Sequence, residues 1–372
     1  MIDQNVTEKS LERAIITCTT ILICVGLLSI YAASAMKGIH LSDDPYYFLR
    51  KQSTVSIFGV GMFFFSRKIP CEWLKKLPLP LFIIALILLS LILIPQAYVK
   101  VGGATRWLNL PFVRFQTSEV AKIALILFLA KNLARKTHNV NNFWTGILPN
   151  ISFFALFGFF LMLQPDFGTT ALLGTITFAM LIVAGLAGKY IIGSAVLAFS
   201  LLATAVAIAP YRMRRILAFL DPWEQVKDGG FQIIQSYLAF QNGGMFGTGL
   251  GESKQKLFFL PEAHTDFIFS VIAEELGFVG LSLVIATYLV LTFCAFKITR
   301  NQSDCFYKYL CFGLSLLISL QAILNMGVVT GLLPTKGIPL PFISNGSSSL
   351  LAFISIVCIL LIANRYSFKS NE

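Results

Sequence analysis

Ionisable side chains are scarce in this sequence, so those that interrupt its apolar runs are where chemistry would lie. The stretch LFFLPEAHTDFIFSVIAEELG, from Leu257 to Gly277, holds Glu262, Asp266, Glu274 and Glu275, with His264 among them. Charge at the edge of a bilayer is costly and usually lines a cavity or a pathway. A carboxylate there can act as a general base. Asp266 could equally do no more than cap a helix, because Thr265-Asp266 precedes a long apolar run. Glu119 and Lys122 are spaced i,i+3 and can pair on one helix. They would either lock a bundle as a self-neutralised pair or line a polar cavity. Asp166, in QPDFG, sits at a turn where it could cap the following apolar run. Lys336 lies in LLPTKGIPLPFIS, broken by Pro and Gly. At membrane depth, such backbone lines a cavity or is buried in protein.

The elements that must position these groups are apolar. The chain has 372 residues, of which 56% are hydrophobic and 13% charged, with a mean hydropathy of +0.77. Soluble domains carry about a quarter charged residues, and no polar stretch here is long enough to form one. The expectation is one all-α, polytopic integral membrane domain over residues 1–372. Apolar spans are expected at 14–35, 51–66, 79–96, 116–134, 146–163, 167–187, 189–209, 266–296, 307–331 and 343–364, about ten transmembrane helices. The first run is too long for a signal-peptide core and reads as a retained anchor. Short connections on one side carry Arg67, Lys68, Lys75, Lys76, Lys131, Arg135, Lys136, Lys189, Lys297, Arg300 and Lys308, and the C-terminal tail has Arg365 and Lys369. Those on the other side carry fewer: Lys37, Arg50, Lys51, Lys100, Arg106, Arg114 and Lys336. That bias places both termini in the cytoplasm and the long 210–265 loop between helices 7 and 8 outside.

The loop opens with Arg212, Arg214 and Arg215, then LDPWEQ, then GGFQIIQSYLAF. The last mixes apolar and polar positions at helical spacing, as an interfacial helix would. The glycines from Gly243 to Gly251 suit either a flexible turn or close approach of backbone to a ligand or membrane. Arg106, Asp166, Arg212 to Arg215, His264, Asp266 and Lys336 then all face outside, as a base with phosphate-binding cations would. Cysteines at 18, 24, 71, 294, 305, 311 and 358 have neither zinc nor disulfide spacing and read as packing residues. The formal charge of +11 reflects topology and affinity for anionic lipid or pyrophosphate rather than nucleic acid. No Walker A or DxD sequence is present, so neither ATP-driven transport nor a nucleotide-sugar donor is supported. An enzyme working outside needs a donor that arrives activated, such as a lipid pyrophosphate.

Six motifs in order, GGATRWLNLPFVRFQTSEVAKIALILFLAK, QPDFGTT, LDPW, GGFQIIQSYLAFQNGGMFGTGLG, LPEAHTDFIFSVIAEELG and NMGVVTGLLPTKGIPLPFISNGSSSLL, resemble the SEDS family (shape, elongation, division and sporulation). The resemblance covers about residues 100 to 360. It implies a ten-helix glycosyltransferase of the bacterial cytoplasmic (inner) membrane that polymerises lipid II, the undecaprenyl-pyrophosphate disaccharide pentapeptide. Its implied partners are a class B penicillin-binding transpeptidase and other division or elongation proteins. PEAHTDF and LLPTKG are closer to the division branch, GIPLP to the elongation branch. The family's essential carboxylate maps onto Asp266. Along the matched motifs, Arg106, Glu119, Lys122, Arg212, Arg215, Gln235, Ser236, His264, Lys336 and Ser344 are the substrate-binding candidates. The usual SYGGS reads Ser344-Asn345-Gly346-Ser347-Ser348, and the usual QPSE reads Gln116-Thr117-Ser118-Glu119, whereas GAxRW is intact from Gly103 to Trp107.

On this reading Asp266 deprotonates the acceptor 4-hydroxyl, which attacks the donor anomeric carbon with inversion. Arg106, Lys336 and the Arg212–Arg215 cluster neutralise the leaving pyrophosphate, with a divalent cation (Mg or Mn) as a candidate helper. A lipid II flippase, or a non-catalytic scaffold recruiting the transpeptidase, are the alternatives.

Overall fold

The computed structural model describes residues 2–94, 98–101, 104–109, 114–135, 140–194, 196, 200, 204, 210–226, 230–253 and 263–369. In chain order the helices are α1 (Ile2–Ser42), α2 (Tyr47–Ser66), α3 (Trp73–Lys76), α4 (Pro78–Leu91), α5 (Thr117–Arg135), α6 (Leu148–Leu163), α7 (Phe167–Val183), α8 (188–194), α9 (Pro210–Leu220), α10 (Gly230–Gly243), α11 (Ile268–Arg300), α12 (Cys305–Val329) and α13 (Ser347–Lys369). A π-helical turn, Phe143–Ile147, leads into α6. Among the described residues, five helical stretches are long and apolar enough to cross a membrane: Lys9–Ser42, Phe143–Leu163, Ile268–Arg300, Cys305–Val329 and Ser347–Ser367. Pro78–Leu91 and Phe167–Val183 are shorter apolar helices. The expected 14–35 span is only the middle of α1, which continues through polar residues at both ends. Most of the expected 189–209 span lies outside the described residues.

An all-α reading needs one correction. The connection after α4 forms a three-stranded antiparallel sheet, β1 (Tyr98–Val101), β2 (Ala104–Asn109) and β3 (Arg114–Gln116), in the order β1-β2-β3. Trp107 pairs with Val99 on one side and Gln116 on the other. Such short strands carry too little alternation to stand out between long apolar helices. β3 runs straight into α5, and Gln116 N donates to Ser348 Oγ at the start of α13 (3.1 Å).

α5 sits at the centre of the bundle. It is buried on nearly all faces from Thr117 to Leu133, as expected for a helix surrounded by others. Phe82, Phe128, Phe153 and Phe157 form an aromatic cluster joining α4, α5 and α6, with ring centroids 4.3–5.7 Å apart. The starts of α5, α7, α11 and α13 meet the ends of α1 and α12 at one end of the molecule. At the other end Tyr307 of α12 packs on Tyr366 of α13 (4.1 Å), and Arg365 donates to the carbonyls of Ser66 and Arg67.

α11 is broken at Gly277, whose φ of +65° is left-handed. The glycine-rich loop after α10 enters the break. Thr248 N and Gly249 N donate to the carbonyls of Glu274 and Glu275 (2.9 and 3.1 Å). Phe278 N and Val279 N donate to the carbonyls of Gly244 and Met245 (2.9 and 3.1 Å). The loop therefore satisfies both faces of a gap whose groups would otherwise be orphaned. A side chain at Gly247 (φ +81°) would run into the carbonyl oxygen of Glu275, 2.1 Å from a built Cβ. Gly243 and Gly247 thus serve approach of backbone to another helix, a use beside the flexible turn and the ligand or membrane contact expected from sequence. α10 is likewise a packed helix rather than one merely resting at an interface. Ile233, Ile234, Ser236 and Ala239 are buried, and Ser236 Oγ lies 2.7 Å from Ser270 Oγ and donates to Val329 O (2.6 Å).

Candidate active site

Asp266 lies in the turn just before α11, one position ahead of its N-cap. The N-cap is Phe267, which makes no side-chain cap bond. The turn is held from three directions. Asn325 Nδ2, on α12, donates to the carbonyls of Asp266 (2.8 Å) and Ile338 (2.7 Å). Ser344 Oγ donates to Thr265 O (2.6 Å) and accepts from Leu340 N (2.7 Å). Asn345 N donates to His264 O (3.0 Å). The side chain of Asp266 faces the broken 330–346 segment, and a methyl built on Gly337 would lie 2.8 Å from Asp266 Oδ2. Only glycine lets the carboxylate come this close.

Gly337 is also part of the wall of a small polar cleft, which Ile338 and Pro339 continue; Arg106, Gln116, Glu119, Lys122, Asp166 and Gln321 supply its polar lining. Period-two alternation on β2 puts Arg106 on the same face as buried Leu108. Arg106 Nη2 donates to Pro165 O (2.7 Å) and lies 3.6 Å from Asp166 Oδ1. Asp166 caps α7 through Thr169 N (3.3 Å), as the sequence suggested. Glu119 and Lys122 fall in the first turns of α5. They pair at 2.9 Å while only 2% and 3% exposed, and Lys122 Nζ also donates to Gln321 Oε1 (2.9 Å). Gln321 Nε2 donates in turn to Pro339 O (2.9 Å). The pair is thus both a lock and a lining. Glu119 Oε2 and Asp166 Oδ2 are buried without a hydrogen-bond partner, which leaves acceptors aimed at a polar occupant.

Lys336 sits beside this cleft, its stem against Gly168 and its ammonium 5.6 Å from the Phe167 ring centroid. Burial pushes the Lys336 ammonium below the ordinary lysine range. Asp166 draws it back up, and Arg106 and Arg215 push it down further. Lys336 thus sits in the field of Arg106, Arg215 and Asp166, and the lysine and two arginines can together serve as an anion cradle. Among the described residues no three His, Cys, Asp or Glu side chains converge on a metal position. Glu119 and Asp166 each already face a cation. No step below runs through a divalent ion.

Arg106, Glu119, Lys122, Lys336 and Asp266 are therefore brought together, with Arg215 close enough to be felt. Other candidates stand apart. His264 is buried against Phe48 (5.1 Å), its Nε2 3.5 Å from Lys37 Nζ. Ser236 bolts α10 to α11 and α12, Ser344 fixes the Asp266 turn, and Gln235 is half-buried on α10. The side chain of Arg212, like Glu262 and Gly103, lies outside what is described. Gln321 and Asn325 were missed, although amides spaced i,i+4 in an apolar helix are a legible sign of an inward polar stripe.

The geometry has counterparts. Residues 12–369 match the family model FTSW_RODA_SPOVE, described as "Cell cycle protein". The chain is 42% identical over 356 residues to "Probable peptidoglycan glycosyltransferase FtsW" of Geobacter metallireducens, covering 95% of each chain. It is 37% identical over 361 residues to "Stage V sporulation protein E" of Bacillus subtilis, covering 97% of this chain and 98% of the relative. Among solved structures, it is similar to a chain from work titled "Structural coordination of polymerization and crosslinking by a peptidoglycan synthase complex" (TM-score 0.80, 28% identity, 95% and 98% covered). It is also similar to the rod shape determining protein RodA of Thermus thermophilus (TM-score 0.70, 25% identity, 95% and 96% covered). With the match running almost end to end, the chain belongs to the FtsW/RodA/SpoVE family of cell cycle proteins.

Proposed function

We propose that this protein is a peptidoglycan glycosyltransferase that polymerises lipid II into glycan strands at the outer face of the cytoplasmic membrane. The observation that carries the reading is the shared wall at Gly337. Asp266 Oδ2 abuts it, and it also lines the Arg106–Glu119–Lys122–Asp166 cleft. A carboxylate and an anion cradle thus sit on either side of one stretch of backbone. In the reaction Asp266 accepts the proton of the acceptor's sugar 4-hydroxyl. The oxygen bonds to the donor's anomeric carbon, and the bond to undecaprenyl pyrophosphate breaks with inversion. The leaving group takes the electron pair and needs charge neutralisation more than a proton, which suits Lys336, Arg106 and Arg215. Asn325 holds the base in place from behind.

Ten crossings with both termini inside, and the 210–265 loop outside, give the topology that opens this site to the outer face. The lysine and arginine bias supports it. The FtsW relatives favour a role in division, and the peptidoglycan synthase neighbour favours a class B penicillin-binding transpeptidase as partner. The test is gel analysis of glycan products from purified protein and lipid II, with and without such a transpeptidase. Asp266→Asn is expected to lose on the order of 10²–10⁴-fold in polymerisation while keeping its thermal stability. An active Asp266→Asn would remove the base assignment. No ladder from folded wild type under either condition would favour a flippase or a scaffold.

A further inference from the structure

At the end of the bundle opposite Asp266, Lys75 of α3, Lys131 and Arg135 of α5, and Asp304 at the start of α12 line a groove of about 420 Å³. Asp304 is the acid of this wall, and both of its oxygens are committed. Oδ1 accepts from Phe306 N (2.9 Å) and Tyr307 N (3.4 Å), capping α12. Oδ2 accepts from Lys75 Nζ at 2.6 Å. Lys75 is further held 5.3 Å from the ring centroids of both Tyr307 and Tyr366. Lys131 and Arg135, spaced i,i+4, share one face of α5, and neither pairs with an acid among the described residues. Cations in the last turn of a helix favour its dipole and help set topology. Neither effect requires a groove walled by three separate elements, with apolar Ala134 and Phe306 beside the charges.

We propose that this groove holds the phosphate headgroup of an anionic phospholipid from the cytoplasmic leaflet. Arg135 offers a planar fork to two phosphate oxygens and Lys131 a point charge. Phe306 and Ala134 take the glycerol and first methylenes. Basic pockets between helices on the cytoplasmic side bind such headgroups. The proposal rests on the orientation given above but not on the chemistry at Asp266. A lipid seated here braces α5 against α12, the two helices that carry Lys122 and Gln321 at their far ends.

Cys305 is exposed and lines the groove, so its thiol reports on both occupancy and orientation. An impermeant maleimide, with the label mapped to Cys305, should react in inverted vesicles and not in right-side-out ones. The opposite pattern would overturn the orientation, and with it the lipid source. In detergent, added dioleoylphosphatidylglycerol should slow Cys305 labelling and remain bound in native mass spectra, whereas dioleoylphosphatidylcholine should do neither. The Lys131→Gln/Arg135→Gln variant should lose about tenfold in phosphatidylglycerol affinity, and the charge-keeping Lys131→Arg/Arg135→Lys variant, which loses only the fork at 135, should lose less. Equal binding of the two lipids, or unchanged binding in the neutralised variant, would overturn the site. Equal protection by millimolar inorganic phosphate would assign the groove to a soluble anion instead. The lipid-binding measurements involve no lipid II turnover, so their failure leaves the polymerase reading intact, whereas a reversed labelling pattern would count against its outer-face topology as well.

Discussion

α11 is one apolar run in sequence and two different helices in space. Before the break, nearly every residue from Ile268 to Gly277 is buried, including Glu274 and Glu275 at 1% and 3% exposure. Beyond it, burial falls to a single stripe through Leu281, Val284, Tyr288, Leu291, Ala295 and Ile298. Leu283, Leu289 and Phe293 on the other faces are about two-thirds exposed, at 65%, 65% and 68%. The second half is solvated on one side by lipid and needs only apolar side chains there. The first half is solvated by protein, so it can keep acids and free backbone groups if other elements partner them. Asn242 Nδ2 (3.2 Å) and Ser253 Oγ donate to Glu274, and the glycine loop bonds the backbone on both sides of the break. The site at Asp266 is built on the half that is surrounded by protein.

The strongest way to break this comparison is Gly277→Ala. A Cβ there would lie 2.3 Å from Gly247 N and 2.7 Å from Met245 O, at a left-handed φ that alone costs on the order of 1–2 kcal/mol in a non-glycine residue. The variant should show a lowered thermal midpoint in detergent together with reduced polymer. A wild-type midpoint would mean that the loop does not grip the helix. Gly337→Ala should act more narrowly. The added methyl displaces Asp266 Oδ2, the mobile end of a side chain, so polymerisation should fall by about tenfold or more with little change in midpoint. Equal kcat in the variant would detach Gly337 from the reaction.

Lys336→Arg sharpens the comparison through pH. The folded pKa of Lys336 lies below its unfolded value. The penalty on its charged form is therefore fully present below the folded pKa and fades as pH rises towards the unfolded one, so alkali does not destabilise the fold through this group. Anion neutralisation does need the cation, so wild-type activity should fall on the alkaline side earlier than for an ordinary lysine. Arginine does not titrate there, and the variant's alkaline limb should move up. An unmoved limb would assign it to another group. Leu283→Ala, on the lipid-facing half, should change the midpoint by less than about 0.5 kcal/mol equivalent. A large drop would show that this face is covered by protein.

Charge was the legible signal. Asp266, Glu119, Lys122 and Lys336 stood out because each breaks an apolar context, and their convergence could be anticipated even though their contacts could not. The sequence EELGF gives no hint of a break at Gly277, because a lone glycine is tolerated in a helix and the loop that fills the gap lies about thirty residues upstream. Gln321 and Asn325 were hidden by their lack of charge. The β-sheet was hidden by its brevity, although it is what delivers Arg106 to the cleft. His264 and Ser236 drew attention through their motifs, and their contacts could not be read there: the imidazole ring lies tilted against Phe48 and the serine hydroxyl joins three helices.

The docking of the loop into α11 also bears on how the chain is made. Gly244 to Gly249 leave the ribosome before Glu274 to Val279, so the mending segment is synthesised ahead of the helix it mends. Four backbone groups of α11 at the break are satisfied by that loop's backbone. Chain order thus lets the partner of the break be present before the break itself is made.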